Sequence, residues 1–196
     1  MTEQTNNTSE MKQQAEASAI RQYLAQGDLV KLRGVQEADL ERLAAIMSQA
    51  PMLGTKPKPW TTQSLKQKFE DKKDPGLWGE KDRTYCAVDN DGKVIGLIQA
   101  TRREYVTEFN FHVDDNRPDL DELGRDLVAT YKLLLTDWHD PARIESSILE
   151  VEESKAAWLM EAGFEREVVI KESFMFEGRP VAGEIWGWVN PRVTGG

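Results

Sequence analysis

Residues 88–103 read VDNDGKVIGLIQATRR, and residues 108–113, just beyond, read EFNFHV. Asn90-Asp91-Gly92 separates two apolar, β-branched runs, RTYCAV at 83–88 and KVIGLIQATRR at 93–103. An Asp-Gly pair supplies the positive φ that a hairpin turn needs, so this stretch predicts two antiparallel strands. The alternation in 108–113 predicts a third. Phe109, Phe111 and Val113 fall on one face, and Glu108, Asn110 and His112 on the other. That second face is either a functional surface or an ordinary polar one, solvated or covered by a helix.

Outward from this centre the periods change. Before it, DLVKLRGV at 28–35 alternates as a strand, and 37–48 carries Leu40, Leu43, Ile46 and Met47 at helix spacing. Three prolines and a glycine make 51–59 a loop, and Thr61-Thr62-Gln63 caps a second helix to about residue 71. After the centre, Leu120, Leu123, Leu127, Tyr131, Leu134, Leu135 and Trp138 repeat near 3.6 and predict a long helix ended by Asp140-Pro141. A strand at 142–149, a helix at 152–162 stopped by Gly163, and strands at 164–176 and 181–189 complete the order β-α-α-β-β-β-α-β-α-β-β. Hairpins mixed with helical crossovers imply an α/β layer architecture: one domain with a mixed central sheet of about seven strands flanked by helices. Residues 1–26 read as an N-terminal tail and helical extension (the helix at 9–26), and 27–196 as the domain itself.

Composition bounds the function. The 196 residues carry 34 acidic and 25 basic side chains, a net charge of -9. Such a chain repels phosphate backbones and anionic membrane surfaces, so no nucleic acid and no membrane is expected as partner. One cysteine, Cys86, forms no internal disulfide and reads as a small core residue. No apolar run reaches the ~20 residues that span a bilayer, and no signal-peptide core is present, so a cytoplasmic location is expected.

With these local sequences, the element order resembles the GNAT superfamily of acyl-CoA N-acyltransferases. It looks nearest to the branch that acetylates ribosomal-protein N-termini and its antibiotic-modifying relatives. LVKLRGVQEADLERL resembles the family's opening strand and helix, DGKVIGLI its central hairpin, EFNFHV its fourth strand, ESKAAWLMEAGFERE its last helix, and ESFMFEGRPVAGEIWGWV its closing hairpin. The resemblance implies transfer of an acyl group, acetyl first, from acyl-CoA to a primary amine of a small molecule or protein. It implies Glu108 as base, with His112 as relay, and the backbone of Phe111 to Val113 as the holder of the donor's pantetheine arm. The pyrophosphate loop Q/R-x-x-G-x-G/A aligns with 121–126 (DELGRD), so Gly124 and Arg125 would be what remains of the pyrophosphate site. Asp121 and Asp126 replace the family's Gln or Arg and its second small residue, and Asp114, Asp115 and Asp119 add acid upstream. A carboxylate facing a pyrophosphate is strongly unfavourable unless it points away. Glu152 and Leu159 stand where the family has an asparagine and a thiolate-protonating tyrosine.

Other candidates are weighed on the residues themselves. Asn110 and Trp60 would contact the substrate, although tryptophans at this density most often pack in cores and rims. Trp186 and Trp188 share one strand face. His139 reads as a helix C-terminal cation. Asp119-Leu120-Asp121-Glu122 has the form of a capping box, a better reading of the acidic run than a metal site. A second function remains open: a GNAT-fold protein that has lost acetyl-CoA binding and serves as a binding or regulatory module, or that uses another donor. A homodimer is a further open alternative.

Overall fold

A computed structural model describes residues 23–49, 59–71 and 81–193. The periodicities above become β1 (Ala25–Gln26), β2 (Val30–Gly34), α1 (Leu40–Gln49), α2 (Thr62–Asp71), β3 (Lys81–Asp89), β4 (Val94–Arg103) and β5 (Val106–Val113). They continue as α3 (Leu120–Trp138), β6 (Arg143–Leu149), α4 (Glu153–Glu161), β7 (Glu165–Phe176) and β8 (Arg179–Val189). The strands form one eight-stranded sheet in the order β1-β2-β3-β4-β5-β6-β8-β7. Among the described residues only β5 and β6 pair in parallel, because α3 carries the chain between them.

The sheet has eight strands, where about seven were expected. The extra one, Ala25–Gln26, lies at the end of the predicted helix 9–26 and pairs with Lys31 and Leu32. Residues 9–22 of that helix and the loop at 51–58 lie outside the described residues. The predicted first helix begins instead with a short 3₁₀ turn, Glu37–Asp39. There Asp39 is buried against Arg33, with contacts of 2.6 and 2.8 Å. The hairpin loop 90–93 turns at Gly92 (φ +79°), while the Asp89 carboxylate accepts the Asp91 and Lys93 N–H groups.

Both sheet faces are covered. On one, α3 and α4 press Leu127, Tyr131 and Trp158 onto Phe109 and Phe111, with the Phe109 and Tyr131 ring centres 5.0 Å apart. On the other, α1 and α2 press Leu43, Ile46, Met47 and Leu65 onto Cys86, Val88 and Leu97. Cys86 is fully buried and desolvation pushes its thiol up to about 12, which makes it an inert core residue. Trp186 lies in the first core, and Trp188 packs beside it under the Lys132 ammonium, 4.4 Å from the ring centre.

The α3 N-terminus departs from the sequence reading. Asp119 makes no side-chain cap bond, so the capping box is not formed. Its carboxylate takes the Arg117 guanidinium at 2.8 and 2.9 Å. Asp126 points away from the cleft end of α3. It accepts the N–H groups of Asp28, Leu29 and Val30 at 3.3, 2.8 and 2.7 Å and so holds the β1–β2 turn onto the helix.

Candidate active site

The parallel register of β5 and β6 runs only from Val106↔Arg143 to Phe109↔Ser146. Beyond it β5 stays paired with β4 as far as Val113, and β6 with β8 as far as Leu149. The two strands therefore part, and the β6-facing backbone edge of residues 110–113 is left out of the ladder. A strand edge of this kind can hydrogen-bond an extended amide-bearing ligand.

Two cavities open at the parting. One, of about 170 Å³, is lined by Asn110 and His112 of β5, Ser146 and Ser147 of β6, Gln99 of β4 and Lys68 of α2. The other, of about 250 Å³, lies toward the starts of α3 and α4, between Val113, Asp115, Leu120, Glu153 and Trp158. His112, Glu152 and Lys155 line both. The Lys155 ammonium pairs with Glu152 at 2.6 Å and stands 5.3 Å from the Phe111 ring centre. Glu152 is itself anchored by the Leu149 N–H at 2.8 Å.

Three polar atoms here are buried without a partner among the described residues: His112 Nδ1, Ser146 Oγ and Gln99 Nε2. Buried polar atoms are rarely left so, and a cluster of them beside a cavity is what a ligand-binding wall looks like. The His112 imidazole is pushed down to about 3, first by burial and then by Lys155 and Lys68. It is neutral at physiological pH, a hydrogen-bonding group and a poor base. This weighs against the relay role the resemblance implies for it.

The same burial ties His112 to stability. Between pH 6.5 and 3 the unfolded chain binds a proton that the folded chain refuses, so stability falls as the pH falls. With the folded value far below the unfolded one, His112 alone should remove roughly 2 to 3 kcal/mol between pH 7 and 4.5. Urea unfolding of the wild type and of His112→Gln across that range checks it. The variant should lose less stability than the wild type, and parallel curves would refute the burial.

The remaining expected site residues are distributed as follows. Asn110, Phe111 and Val113 lie at the parting. Glu108 sits two residues before it on the Asn110–His112 face, partly exposed, with the Arg103 guanidinium at 2.9 Å. Trp60 packs against the α1–α2 core, its ring 4.9 Å from the Lys68 ammonium. Gly124 and Arg125 line neither cavity: Gly124 lies inside α3 against Trp158, and Arg125 pairs with Glu161 at 2.9 Å. Leu159, at the tyrosine position, is fully buried in the core. His139 caps α3 through its N–H to the Leu135 carbonyl, with Arg83 and Arg102 each 3.3 Å from its ring nitrogens. Sequence reasoning misses Lys155 and Ser146. Lys155 lies four residues before Leu159, on the same helix face, which is the signal that could have found it.

Among the described residues no cluster of three His, Cys, Asp or Glu side chains is placed to hold a metal, and no helix is long and apolar enough to cross a membrane.

No protein-family model matches the sequence, and a search of curated proteins finds no match. Solved structures do match. RimJ of Mycobacterium smegmatis, in complex with CoA-disulfide, is 15% identical with a TM-score of 0.70, over 86% of this chain and 88% of that one. The spermidine N-acetyltransferase of Vibrio cholerae, in complex with CoA and spermine, is 16% identical with a TM-score of 0.66, over 84% and 98%. A GNAT-family acetyltransferase of Bacillus anthracis is 8% identical with a TM-score of 0.64, over 85% and 98%. At these identities the likeness is one of fold, and the chain has the fold of the GNAT acyltransferases.

Proposed function

We propose that this chain is an N-acyltransferase that moves an acyl group, acetyl in the first place, from a thioester donor to a primary amine of a small molecule or peptide. The observation that carries the reading is the parting of β5 and β6 after Phe109 and Ser146. It brings a free strand edge, two cavities and three partnerless buried polar atoms together at one place. The matched spermidine N-acetyltransferase, solved with CoA and spermine, supports an amine acceptor.

The donor brings an activated acyl carbonyl, and the chain's own residues do the rest. The backbone edge at 110–113 orients the pantetheine amides, and the 170 Å³ cavity receives the amine beside Asn110. An amine attacks only after losing its proton, so a carboxylate within reach through water is needed. Glu108 has that role in our reading, at the outer end of the Asn110–His112 face. His112, neutral, remains a wall group. With Leu159 in place of a tyrosine, Lys155 supplies positive charge at the junction of the cavities, where charge on the departing sulfur would develop.

The test is amine-dependent thiol release by the full chain, using acetyl-CoA and S-acetylpantetheine against polyamines, amino-acid esters and peptides with free N-termini. Product identity comes from mass spectrometry. Acylated amine with either donor supports the reading, and none across the panel removes it. The second reading, a GNAT-fold binding or regulatory module, is favoured by one feature, the carboxylate-rich loop at 114–119. It predicts that no thioester binds at all.

A further inference from the structure

The start of α3 opens beside the 250 Å³ cavity, with Leu120 in the cavity wall. Free N–H groups and the helix dipole make such a terminus a natural seat for a diphosphate. In this chain that terminus is ringed by carboxylates, each held by a partner elsewhere. Asp114, 2% exposed, pairs with Arg42 and accepts the Asn116 N–H at 3.3 Å. Asp119 holds Arg117, whose other nitrogen reaches Asp89 at 3.1 Å. Asp121 accepts the Trp158 indole N–H at 3.1 Å.

Among the described residues no cation here is left over for a diphosphate. Arg117 is shared between Asp119 and Asp89, Arg125 is paired with Glu161, and Lys155 with Glu152. The cavity rim sets Asp115, Glu152 and Glu153 against Lys155 alone. Burial, foremost, holds the Asp115 carboxyl above its ordinary range. Further anionic charge beside it would raise the cost again. The glycine that would let backbone approach a phosphate, Gly124, is instead filled by the Trp158 ring.

The thioester end of the cleft fits a pantetheine arm: a free strand edge, an apolar wall of Val113, Leu120 and Trp158, and a slot between β5 and α4. The nucleotide end does not fit. Resting on the acyltransferase reading, we infer that the donor is recognised through its uncharged pantetheine arm and that the nucleotide diphosphate has no seat in this chain. Donors lacking the nucleotide then serve as well as acetyl-CoA.

Calorimetry on the full chain with CoA, with pantetheine and with the nucleotide half of CoA (3′-phospho-ADP) tests this without an acceptor. CoA and pantetheine should bind within about tenfold of each other, and the nucleotide half should not compete with either. Asp115→Asn with Glu153→Gln should raise the affinity for CoA relative to pantetheine severalfold, by removing rim charge. CoA binding more than about tenfold tighter than pantetheine, with the nucleotide half competing, overturns the inference and leaves the acyltransferase reading standing. Binding of neither CoA nor pantetheine overturns both.

Discussion

Replacing Gly124 with valine should destabilise the domain by about 3 kcal/mol, and replacing it with alanine by about 1 to 2 kcal/mol. On an exposed helix the alanine change would stabilise by about 1 kcal/mol, so the sign itself is diagnostic. A Cβ on Gly124 would lie 2.4 Å from Cδ2 and Cε2 of Trp158 and 2.5 Å from Cε3. These atoms belong to the body of the ring, which cannot swing aside. The indole is 3% exposed, its N–H is held by Asp121, and its ring centre lies 6.2 Å from that of Phe111. The added methyl must therefore push α4 away from α3. Because Trp158 also lines the larger cavity, the same shift should weaken pantetheine binding. Denaturant midpoints of Gly124→Ala, Trp158→Leu and the double variant measure it. The pair should couple, with alanine far better tolerated once the indole is gone. An unchanged or raised midpoint for the alanine variant would show that the helices do not meet as described.

Glu108→Gln should lower turnover at neutral pH by at least about a hundredfold, the contribution expected of a general base. Fold loss cannot account for such a result. The Arg103–Glu108 side chains are 55% and 40% exposed, and an ion pair so open to water contributes at most about 1 kcal/mol. A glutamine keeps the shape and an acceptor for Arg103 and removes only the basic carboxylate. The variant's rate should climb as pH rises and the acceptor amine deprotonates on its own, narrowing the gap to the wild type. A variant within about twofold of wild type at every pH would take Glu108 out of the mechanism.

Much of the fold is legible in the order of residues alone. The hairpin 83–103, the alternating 108–113 strand and the long helix from Leu120 to Trp138 announce themselves through local period, and local period is what backbone geometry converts into elements. The two residues of β1 carry too little pattern to compete with the helical reading around them. They are a strand because Lys31 and Leu32 offer an edge. In the candidate site, the β5 face of Glu108, Asn110 and His112 is readable for the same reason of period. Ser146 is not, because it enters through a neighbour 37 residues away, Phe109, at the last rung of the parallel ladder.

The acidic run at 114–126 divides the two levels of information. By itself the sequence determined that six carboxylates and two arginines gather where an anionic group would be met in a fold of this order. Only the tertiary structure decided what each charge does. Asp126 turns back to backbone 96 to 98 residues away, Asp114 takes Arg42 from 72 residues away, and Arg117 reaches Asp89 across 28. Period is a property of neighbours along the chain and is written in the sequence. A charge's partner is set by which distant elements the core brings together, and it is known only once α1, β2, β3 and α3 have packed.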